Sequence, residues 1–347
     1  MAKSAGKSPV VFVTEPMGDE SSEYAIKKLR EEGCEVRLGR PFTDAESLYS
    51  TAELTSLVGD VEYLMVSSRE LFSREVMEAA PHLKSISKLG IGVERIDIKA
   101  ATDHGIVVSN TPIPENFLAV AEYAVAMILS LAKGLKIADR NARVAGKWRS
   151  GRSVFMKGKT VGIIGLGRIG SRVAELIRPF ELRVVAFDPY VDAKRAASFG
   201  VELVDLDTLL RESDFITLHA VVTAENRNQL GAREFALMKP GAYLVNVARG
   251  ALLDEAALND ALREGRLAGA AVDVFEPEPP APDSPLLAAE LESKTLYSPH
   301  SAGMTPELIY KMPLTQFENT LSAIRGEKPE YVVNPAVLPH WRRTRGA

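Results

Sequence analysis

The sequence predicts an α/β fold made of two doubly wound parallel-sheet domains. The chain has 347 residues, whereas one domain usually holds about 100 to 200. Short β-branched runs alternate with helical patterns in two separate stretches, and a glycine-rich turn joins a strand to a helix in the second of them. Such alternation is typical of parallel sheets that are covered by helices.

In the first stretch, the predicted strands are "VVFVTE" from Val10, "EVRLG" and "VEYLMVSS", and the helical patterns are "EYAIKKLREEG" and "SREVMEAAPHLKSISKLG". Pro112 and Pro114 end this alternation. A long helix is predicted from "PENF" to about Ala145, because proline is tolerated in a first helical turn. Its apolar segment from Phe117 is too short and too polar for a comfortable bilayer span, so we expect a buried helix or a subunit interface.

The second stretch supplies the strands "TVGIIG", "RVVAFD", "FITLHA", "AYLVNVA" and "GAAVDVF". Helical patterns such as "TLLRES" and "DEAALNDALREGR" separate them. The proline-rich segment "EPEPPAPDSP" interrupts this alternation, and a last helix is predicted over "PELIYKMPLTQFENTLSAIRGE".

Composition excludes several classes of function. A net charge of −4 and a pI near 5.9 leave no broad basic surface, so we expect no nucleic-acid partner. The single cysteine, Cys34, excludes an internal disulfide and a multi-cysteine metal site. We expect no metal, since there is neither an H-E-x-x-H pattern nor a cluster of histidines. The N-terminus lacks the apolar core of a signal peptide, so we expect a cytoplasmic protein without a membrane partner.

The glycine-rich turn "GLGRIG" contains Gly165, Gly167 and Gly170 where a strand ends and a helix begins. These glycines suit a tight turn, a close approach to a pyrophosphate and close packing of helix on strand. The next strand ends in Asp188, where a carboxylate can reach the hydroxyls of an adenosine ribose. An acidic group there repels a 2′-phosphate, and no arginine follows it directly, so the predicted cofactor is NAD rather than NADP.

Polar groups follow the later strands of this stretch, at the edge where ligands gather in open parallel sheets. They are Arg249, Asp273, Glu278 and His300. Arginine can hold a carboxylate with paired hydrogen bonds, and histidine can exchange a proton with a carbonyl or alcohol oxygen near neutral pH. With a nicotinamide, these groups suit interconversion of a 2-hydroxy acid and a 2-keto acid. His219, which ends "FITLH", is the rival histidine, although a role beside the cofactor fits it better.

Several segments together resemble the D-isomer-specific 2-hydroxyacid dehydrogenase family over nearly the whole chain. They are "SKLGIGVERIDIKAA", "TVGIIGLGRIG", "GAYLVNVARGALLDEAAL", "GAAVDVFEPEP", "SPHSAG" and "VVNP". The resemblance implies that His300 is the acid and base, that Glu278 is its partner, and that Arg249 binds the substrate carbonyl and carboxylate.

The resemblance also implies the residues that contact cofactor and substrate. Those expected at the cofactor are Gly165, Gly167, Arg168, Ile169, Gly170, Asp188, Val247, Ala248, Arg249, Asp273, His300 and Gly303. Those expected at the substrate are Ile91 and Gly92 through their backbone amides, Arg249, and Ser67.

The family's organisation predicts a Rossmann-type cofactor domain inserted into a flavodoxin-like substrate domain. Residues 110–299 would form the NAD-binding domain, and residues 1–109 with 300–347 the substrate domain. Hinges are then expected near Asn110 and Pro299. The resemblance further implies a homodimer that forms through the helix starting near Pro114.

Departures from the family pattern bear on the substrate. Phosphoglycerate dehydrogenases tend to have an arginine where Ser67 stands, and Arg69 is expected to point to the other side of an extended segment. The expected activity is therefore reduction of a short 2-keto acid, of the glyoxylate or hydroxypyruvate type. D-3-phosphoglycerate dehydrogenase and an NAD-sensing, corepressor-like scaffold remain as alternatives, whereas Glu278 disfavours formate dehydrogenases, which have glutamine there.

Overall fold

The computed structural model of the chain describes residues 8–41, 49–67, 69–144, 148 and 153–342. The chain divides into two compact units. Unit 1 is Met1–Asn116 with Thr305–Ala347, and unit 2 is Phe117–Met304. The ends of the predicted substrate domain, residues 1–7 and 343–347, lie outside the described residues.

Unit 1 is built on a five-stranded parallel sheet in the order β2-β1-β3-β4-β5. Its strands are β1 Val10–Val13, β2 Glu35–Leu38, β3 Tyr63–Val66, β4 Ser85–Lys88 and β5 Val107–Ser109. Its helices are α1 Glu20–Glu31, α2 Thr51–Leu57, α3 Arg74–Glu78, α4 Ile98–Asp103 and α12 Pro306–Ile324. This strand order is the flavodoxin-like one, so the fold predicted for this part of the chain is confirmed.

Apolar side chains cover both faces of this sheet. Leu54, Leu64 and Ile86 belong to the cluster on one face, and Leu29 and Tyr63 to the cluster on the other. All five are fully buried. Both faces of the sheet are therefore covered by protein, so a ligand can bind only at the edge where the strands end.

One helical pattern of the first stretch was predicted too long. The segment "SREVMEAAPHLKSISKLG" contains the short helix α3, a turn, and then the buried strand β4. Pro81 follows α3 closely and cannot continue a helix, since proline lacks a backbone N–H. The residues after it pair with β3 on one side and β5 on the other.

Unit 2 is built on a seven-stranded parallel sheet in the order β12-β11-β10-β9-β6-β7-β8. Its strands are β6 Thr160–Ile164, β7 Arg183–Phe187, β8 Glu202–Leu203, β9 Phe215–Leu218, β10 Ala242–Asn246, β11 Leu267–Val272 and β12 Thr295–Tyr297. Its helices are α6 Leu135–Arg143, α7 Arg168–Ile177, α8 Ala193–Ser198, α9 Leu206–Glu212, α10 Ala232–Leu237 and α11 Glu255–Arg263. The strand order is that of a Rossmann fold extended by one strand, and the predicted fold class is confirmed.

The long helix predicted to reach about Ala145 is in fact two helices. α5 spans Pro114–Lys133, Gly134 follows with a φ of 59°, and α6 begins at Leu135. Glycine adopts this left-handed conformation without the steric cost that other residues incur, so the helix axis can change direction there. Ala145 itself lies outside the described residues.

Helix α5 is long and apolar enough to cross a membrane by length and composition. Its inner face packs against protein, however: Ala121, Ala124 and Ile128 are fully buried in a core cluster of the sheet that contains β6. A core helix meets the same length and composition criteria as a membrane span.

Candidate active site

The glycine-rich turn lies between β6 and α7 and leaves the start of that helix open. Gly167 is the N-cap residue of α7, and no side chain caps the helix. A Cβ placed on Gly167 would meet no atom within 4 Å. No side chain therefore fills the space at the start of this ten-residue helix, and a helix N-terminus of this kind can bind a pyrophosphate. Arg168, the first helical residue, is exposed beside it, and Ile169 is half-buried.

Gly170 serves packing rather than the ligand. A Cβ on Gly170 would lie 2.1 Å from the carbonyl oxygen of Gly165. Only glycine therefore allows α7 to approach the end of β6 this closely. Gly165 itself has a φ of 93°, in the left-handed region, which makes the sharp turn out of the strand.

Asp188 follows β7 and is fixed beside the glycine turn. One carboxylate oxygen accepts a hydrogen bond from the Leu166 N–H at 2.8 Å, and the other accepts one from the Tyr190 N–H at 2.9 Å. The carboxylate is half-buried and held at the end of the neighbouring strand. This geometry fits an acceptor for ribose hydroxyls.

His300 and Glu278 form a direct contact. The Nδ1 atom of His300 lies 2.7 Å from Oε2 of Glu278, and Oε1 of Glu278 accepts a hydrogen bond from the Phe275 N–H at 3.0 Å. Burial on its own would raise the pKa of the Glu278 carboxyl. The hydrogen bond and charge of His300, the Phe275 N–H and the charge of Arg249 outweigh it, so this pKa lies below its usual value. Glu278 is therefore ionised at neutral pH.

The backbone of His300 lies in the left-handed region, with a φ of 51°. Its N–H donates to the carbonyl oxygen of Asp273 at 2.7 Å. The buried carboxylate of Asp273 accepts three more hydrogen bonds, from the hydroxyl of Ser298 and from the N–H groups of Ser301 and Ala302. Asp273 thus holds the whole turn that carries His300, in addition to its predicted cofactor contact, which stays a prediction.

Arg249 follows β10 in a turn that Asn246 holds in place. The buried Asn246 side chain accepts a hydrogen bond from the Ala248 N–H and donates one to the Arg249 carbonyl oxygen. A Cβ on Gly250 would lie 2.2 Å from the carbonyl carbon of Phe275. Because Gly250 has no side chain, the Arg249 turn packs directly on the loop that leads to Glu278. Val247, within this turn, is buried.

The rival histidine, His219, is not suited to proton transfer at neutral pH. Burial lowers the pKa of His219 to about 3. Its Nε2 lies 2.9 Å from the Thr217 hydroxyl, and its Nδ1 is buried without a hydrogen-bond partner. A neutral imidazole that is held in this way fits the role beside the cofactor that was predicted from the sequence.

In unit 1, the segment Gly90–Gly92 follows β4 as an open loop. The hydroxyl of Thr111 accepts a hydrogen bond from the Gly90 N–H at 2.7 Å, and the side chain of Asn110 donates to the Ile91 carbonyl oxygen at 2.8 Å. Within the part of the chain that the structure describes, neither the Ile91 N–H nor the Gly92 N–H donates a hydrogen bond. Two such donors side by side can receive a carboxylate.

Ser67, directly after β3, belongs to a charged cluster that the sequence did not reveal. The carboxylate of Glu15 accepts hydrogen bonds from the Ser67 hydroxyl and from the Arg69 guanidinium. Glu70 lies 3.2 Å from the same hydroxyl. The expectation that Arg69 points away from Ser67 is wrong, because both side chains contact the same Glu15 carboxylate. Residues two positions apart in an extended segment lie on the same side of it.

The predicted residues therefore fall into two groups. Arg249, Asp273, Glu278 and His300 share one edge of the unit 2 sheet with the glycine turn, Asp188, and Gly303, which lies in the turn after His300. Ile91, Gly92 and Ser67 share the strand-end edge of unit 1. Sequence patterns missed Asn246, Glu15 and Glu70. Of these, only Asn246 had a signal, as a polar residue inside an otherwise apolar strand.

Comparisons with known proteins identify the family and agree with the fold. The family model for the NAD binding domain of D-isomer specific 2-hydroxyacid dehydrogenases matches residues 125–302. The chain is 39% identical over 332 residues to D-3-phosphoglycerate dehydrogenase of Archaeoglobus fulgidus, an alignment that covers 95% of this chain and 60% of that protein. The chain thus spans about 60% of the length of that curated relative.

Solved structures match nearly the whole chain. D-lactate dehydrogenase from Aquifex aeolicus, complexed with NAD and lactic acid, has a TM-score of 0.81 at 27% identity, with 94% of this chain and 99% of that one covered. A glyoxylate reductase from Paecilomyes thermophila has a TM-score of 0.81 at 28% identity, with 94% and 98% covered.

Proposed function

Because the chain belongs to the D-isomer specific 2-hydroxyacid dehydrogenase family, we propose that it is an NAD-dependent oxidoreductase that interconverts a short 2-keto acid and its D-2-hydroxy acid. The physiological reaction would be of the glyoxylate or hydroxypyruvate type. The observation that carries the proposal is the contact between His300 and Glu278 at 2.7 Å, with the charge of Arg249 acting on the same carboxylate.

The contact defines which atom of His300 meets the substrate. The Nδ1–H group donates a hydrogen bond to the ionised Glu278, which fixes the ring and leaves Nε2 for the substrate oxygen. In the reduction, Nε2–H gives its proton to the carbonyl oxygen. Arg249 stabilises the negative charge that develops on this oxygen and holds the neighbouring carboxylate. When bound at the glycine turn, NADH supplies the hydride.

The other end of the substrate would be held by unit 1. We assign the free N–H groups of Ile91 and Gly92 to the substrate carboxylate, and Ser67 to the substituent beyond it. Unit 1 would be the substrate domain and unit 2 the cofactor domain, with hinges near Asn110 and Pro299. The domain boundaries predicted from the sequence lie within about seven residues of those between the compact units.

Assembly and location follow the family expectation. Helix α5 exposes part of its surface along its length, and α6 next to it has no buried residue. We propose that α5 forms a homodimer interface, and that the protein acts in the cytoplasm without a nucleic-acid or membrane partner.

A second candidate is D-3-phosphoglycerate dehydrogenase. The name of the Archaeoglobus relative, at 39% identity, favours it. Ser67 disfavours phosphoglycerate dehydrogenase activity, because a serine hydroxyl supplies no positive charge for a phosphate.

Replacement of His300 tests the proposed reaction. His300→Ala should lower the turnover of hydroxypyruvate or glyoxylate with NADH by about 10²- to 10⁴-fold, the usual contribution of a positioned acid. NADH affinity, measured by fluorescence titration, should change little. His82→Ala is the matched control, since His82 is exposed on unit 1. Unchanged turnover in His300→Ala, or a wild type that reduces no 2-keto acid at all, would overturn the proposal and favour a non-catalytic, NAD-sensing protein.

A further inference from the structure

We propose that Glu15 and Ser67 are specificity-determining residues that restrict the substrate to short 2-keto acids whose C3, where there is one, carries a single small, uncharged group, and that Glu15 excludes phosphorylated acids by engaging Arg69. This inference rests on the proposed function and names its substrate class. It is carried by a buried charged cluster and by the cavity beside that cluster.

The cluster joins the ends of two neighbouring strands. Glu15 follows β1 and Ser67 follows β3, and these strands pair in register. The Glu15 side chain is fully buried, and its two oxygens are occupied by the Ser67 hydroxyl and the Arg69 guanidinium. The positive charge of Arg69, the arginine nearest to Ser67 in sequence, is thus balanced by an internal carboxylate.

The hydrogen-bond pattern defines the charge of the cluster. Ser67 has one hydroxyl proton and lies between two carboxyl groups, those of Glu15 and Glu70. Glu15 accepts a hydrogen bond through that proton and pairs with Arg69, so it is the ionised member. Glu70 is then the protonated member, because it can donate to the Ser67 oxygen while it is buried from water. The cluster as a whole therefore has no net positive charge that could bind a phosphate.

A small cavity lies against this cluster. Its polar lining includes Glu15, Ser67 and Gln316, and Ile26 and Met65 are among its apolar lining residues. The cavity encloses about 20 Å³, which is room for roughly one water-sized group. A hydroxyl or methyl group fits this space.

The cavity is also next to the proposed carboxylate site. Leu89 lines it and directly precedes the loop that presents the free N–H groups of Ile91 and Gly92. A substrate held there by its carboxylate would direct its C3 substituent at Ser67 and Glu15. Lys88 is a buried cation at this edge and donates to the Leu89 carbonyl oxygen at 2.5 Å, but it does not line the cavity. A phosphate in the cavity would lie against the buried Glu15 carboxylate, and like charges in a buried site repel strongly.

The test compares two acids that differ only in a phosphate group. With saturating NADH, kcat/KM is measured for hydroxypyruvate and for phosphohydroxypyruvate. We expect the wild type to favour hydroxypyruvate by at least about tenfold, which corresponds to about 1.4 kcal/mol. Glu15→Gln removes the repulsion and releases Arg69, and should narrow this ratio by about tenfold or more. The double variant with Arg69→Gln should restore much of the ratio, because the released guanidinium is then absent.

The control is Glu62→Gln, which removes a half-buried ion pair with Lys84 in the same sheet and leaves the cluster intact. Thermal melts of all variants establish that they are folded. A wild type that prefers phosphohydroxypyruvate would overturn this inference but not the proposed function, and this outcome does not depend on whether Glu15→Gln folds. A folded Glu15→Gln variant whose ratio matches that of Glu62→Gln would also overturn this inference. If no 2-keto acid is reduced, the proposed function itself fails, and this inference fails with it.

Discussion

Glu70→Gln should remove a pH dependence from the stability of unit 1. Glu70 is 2% exposed, and burial, together with the negative charge of Glu15, raises its pKa to about 7 from 4.5. Between these pH values the folded protein keeps this proton while the unfolded chain has lost it. The free energy of unfolding therefore falls as pH rises through this range.

The magnitude follows from the two pKa values. One pKa unit corresponds to about 1.36 kcal/mol, so the contribution of Glu70 should decline by about 3 kcal/mol between pH 4.5 and pH 7. Glutamine has nearly the same shape and cannot ionise. Relative to the wild type, the variant should thus gain about 3 kcal/mol over that range, since only the wild type must bury a carboxylate beside Glu15.

Urea unfolding at a series of pH values measures this difference. Trp341 is buried in unit 1, where its Nε1 donates to the Lys84 carbonyl oxygen, so its fluorescence reports the unfolding of that unit. Trp148 is the other tryptophan and is 87% exposed, so Trp148→Phe provides a clean background. Glu318→Gln, at an exposed position of α12, is the control. A difference between Glu70→Gln and wild type that stays within about 0.5 kcal/mol across the range would refute the reasoning.

Two further predictions concern unit 2. Glu278→Gln should lower the reduction rate at every pH by about tenfold or more, because the His300 ring loses its charged hydrogen-bond partner. Since the pKa of Glu278 is lowered, Glu278 should stay ionised in the wild type from neutral pH to pH 5, and its protonation should not reduce the rate there. A wild-type rate that declines over this range, with a decline that Glu278→Gln abolishes, would contradict this prediction. Gly170→Ala should destabilise the protein by about 1–3 kcal/mol, since its Cβ would overlap the Gly165 carbonyl oxygen. Gly167→Ala meets no protein atom and should keep its melting temperature while NADH affinity falls; equal melting temperatures for the two alanine variants would contradict this assignment.

The fold and the cofactor could be predicted because their signals are local in sequence. β-branched runs marked the strands of the central sheets, and the glycine turn followed by Asp188 indicated a dinucleotide. The matched NAD-binding domain model confirms both NAD and the family resemblance. The prediction was wrong where one segment fits both a helical and a strand pattern. Strand β4 was hidden in a helical pattern because its sequence, "SISK", has a single apolar residue.

The cluster around Glu15 could not be predicted, because it depends on a pairing between residues 52 positions apart. The sequence shows Ser67 in place of an arginine, and Arg69 two residues later. Residues two positions apart in an extended segment lie on the same side of it, so the two side chains can share a partner. The sequence does not show that this partner is Glu15, which follows a different strand.

His300 illustrates how the site maintains a conformation that local preferences oppose. A non-glycine residue in the left-handed region costs about 1–3 kcal/mol. Against this, the buried carboxylate of Asp273 accepts three hydrogen bonds from the same turn, and each bond to a charged group contributes about 1.5–3 kcal/mol. The hydrogen bonds outweigh the strain, so the turn keeps its shape. Asp273 therefore holds the backbone that brings the imidazole of His300 to Glu278. The geometry of the proposed catalytic histidine thus depends on this buried acid.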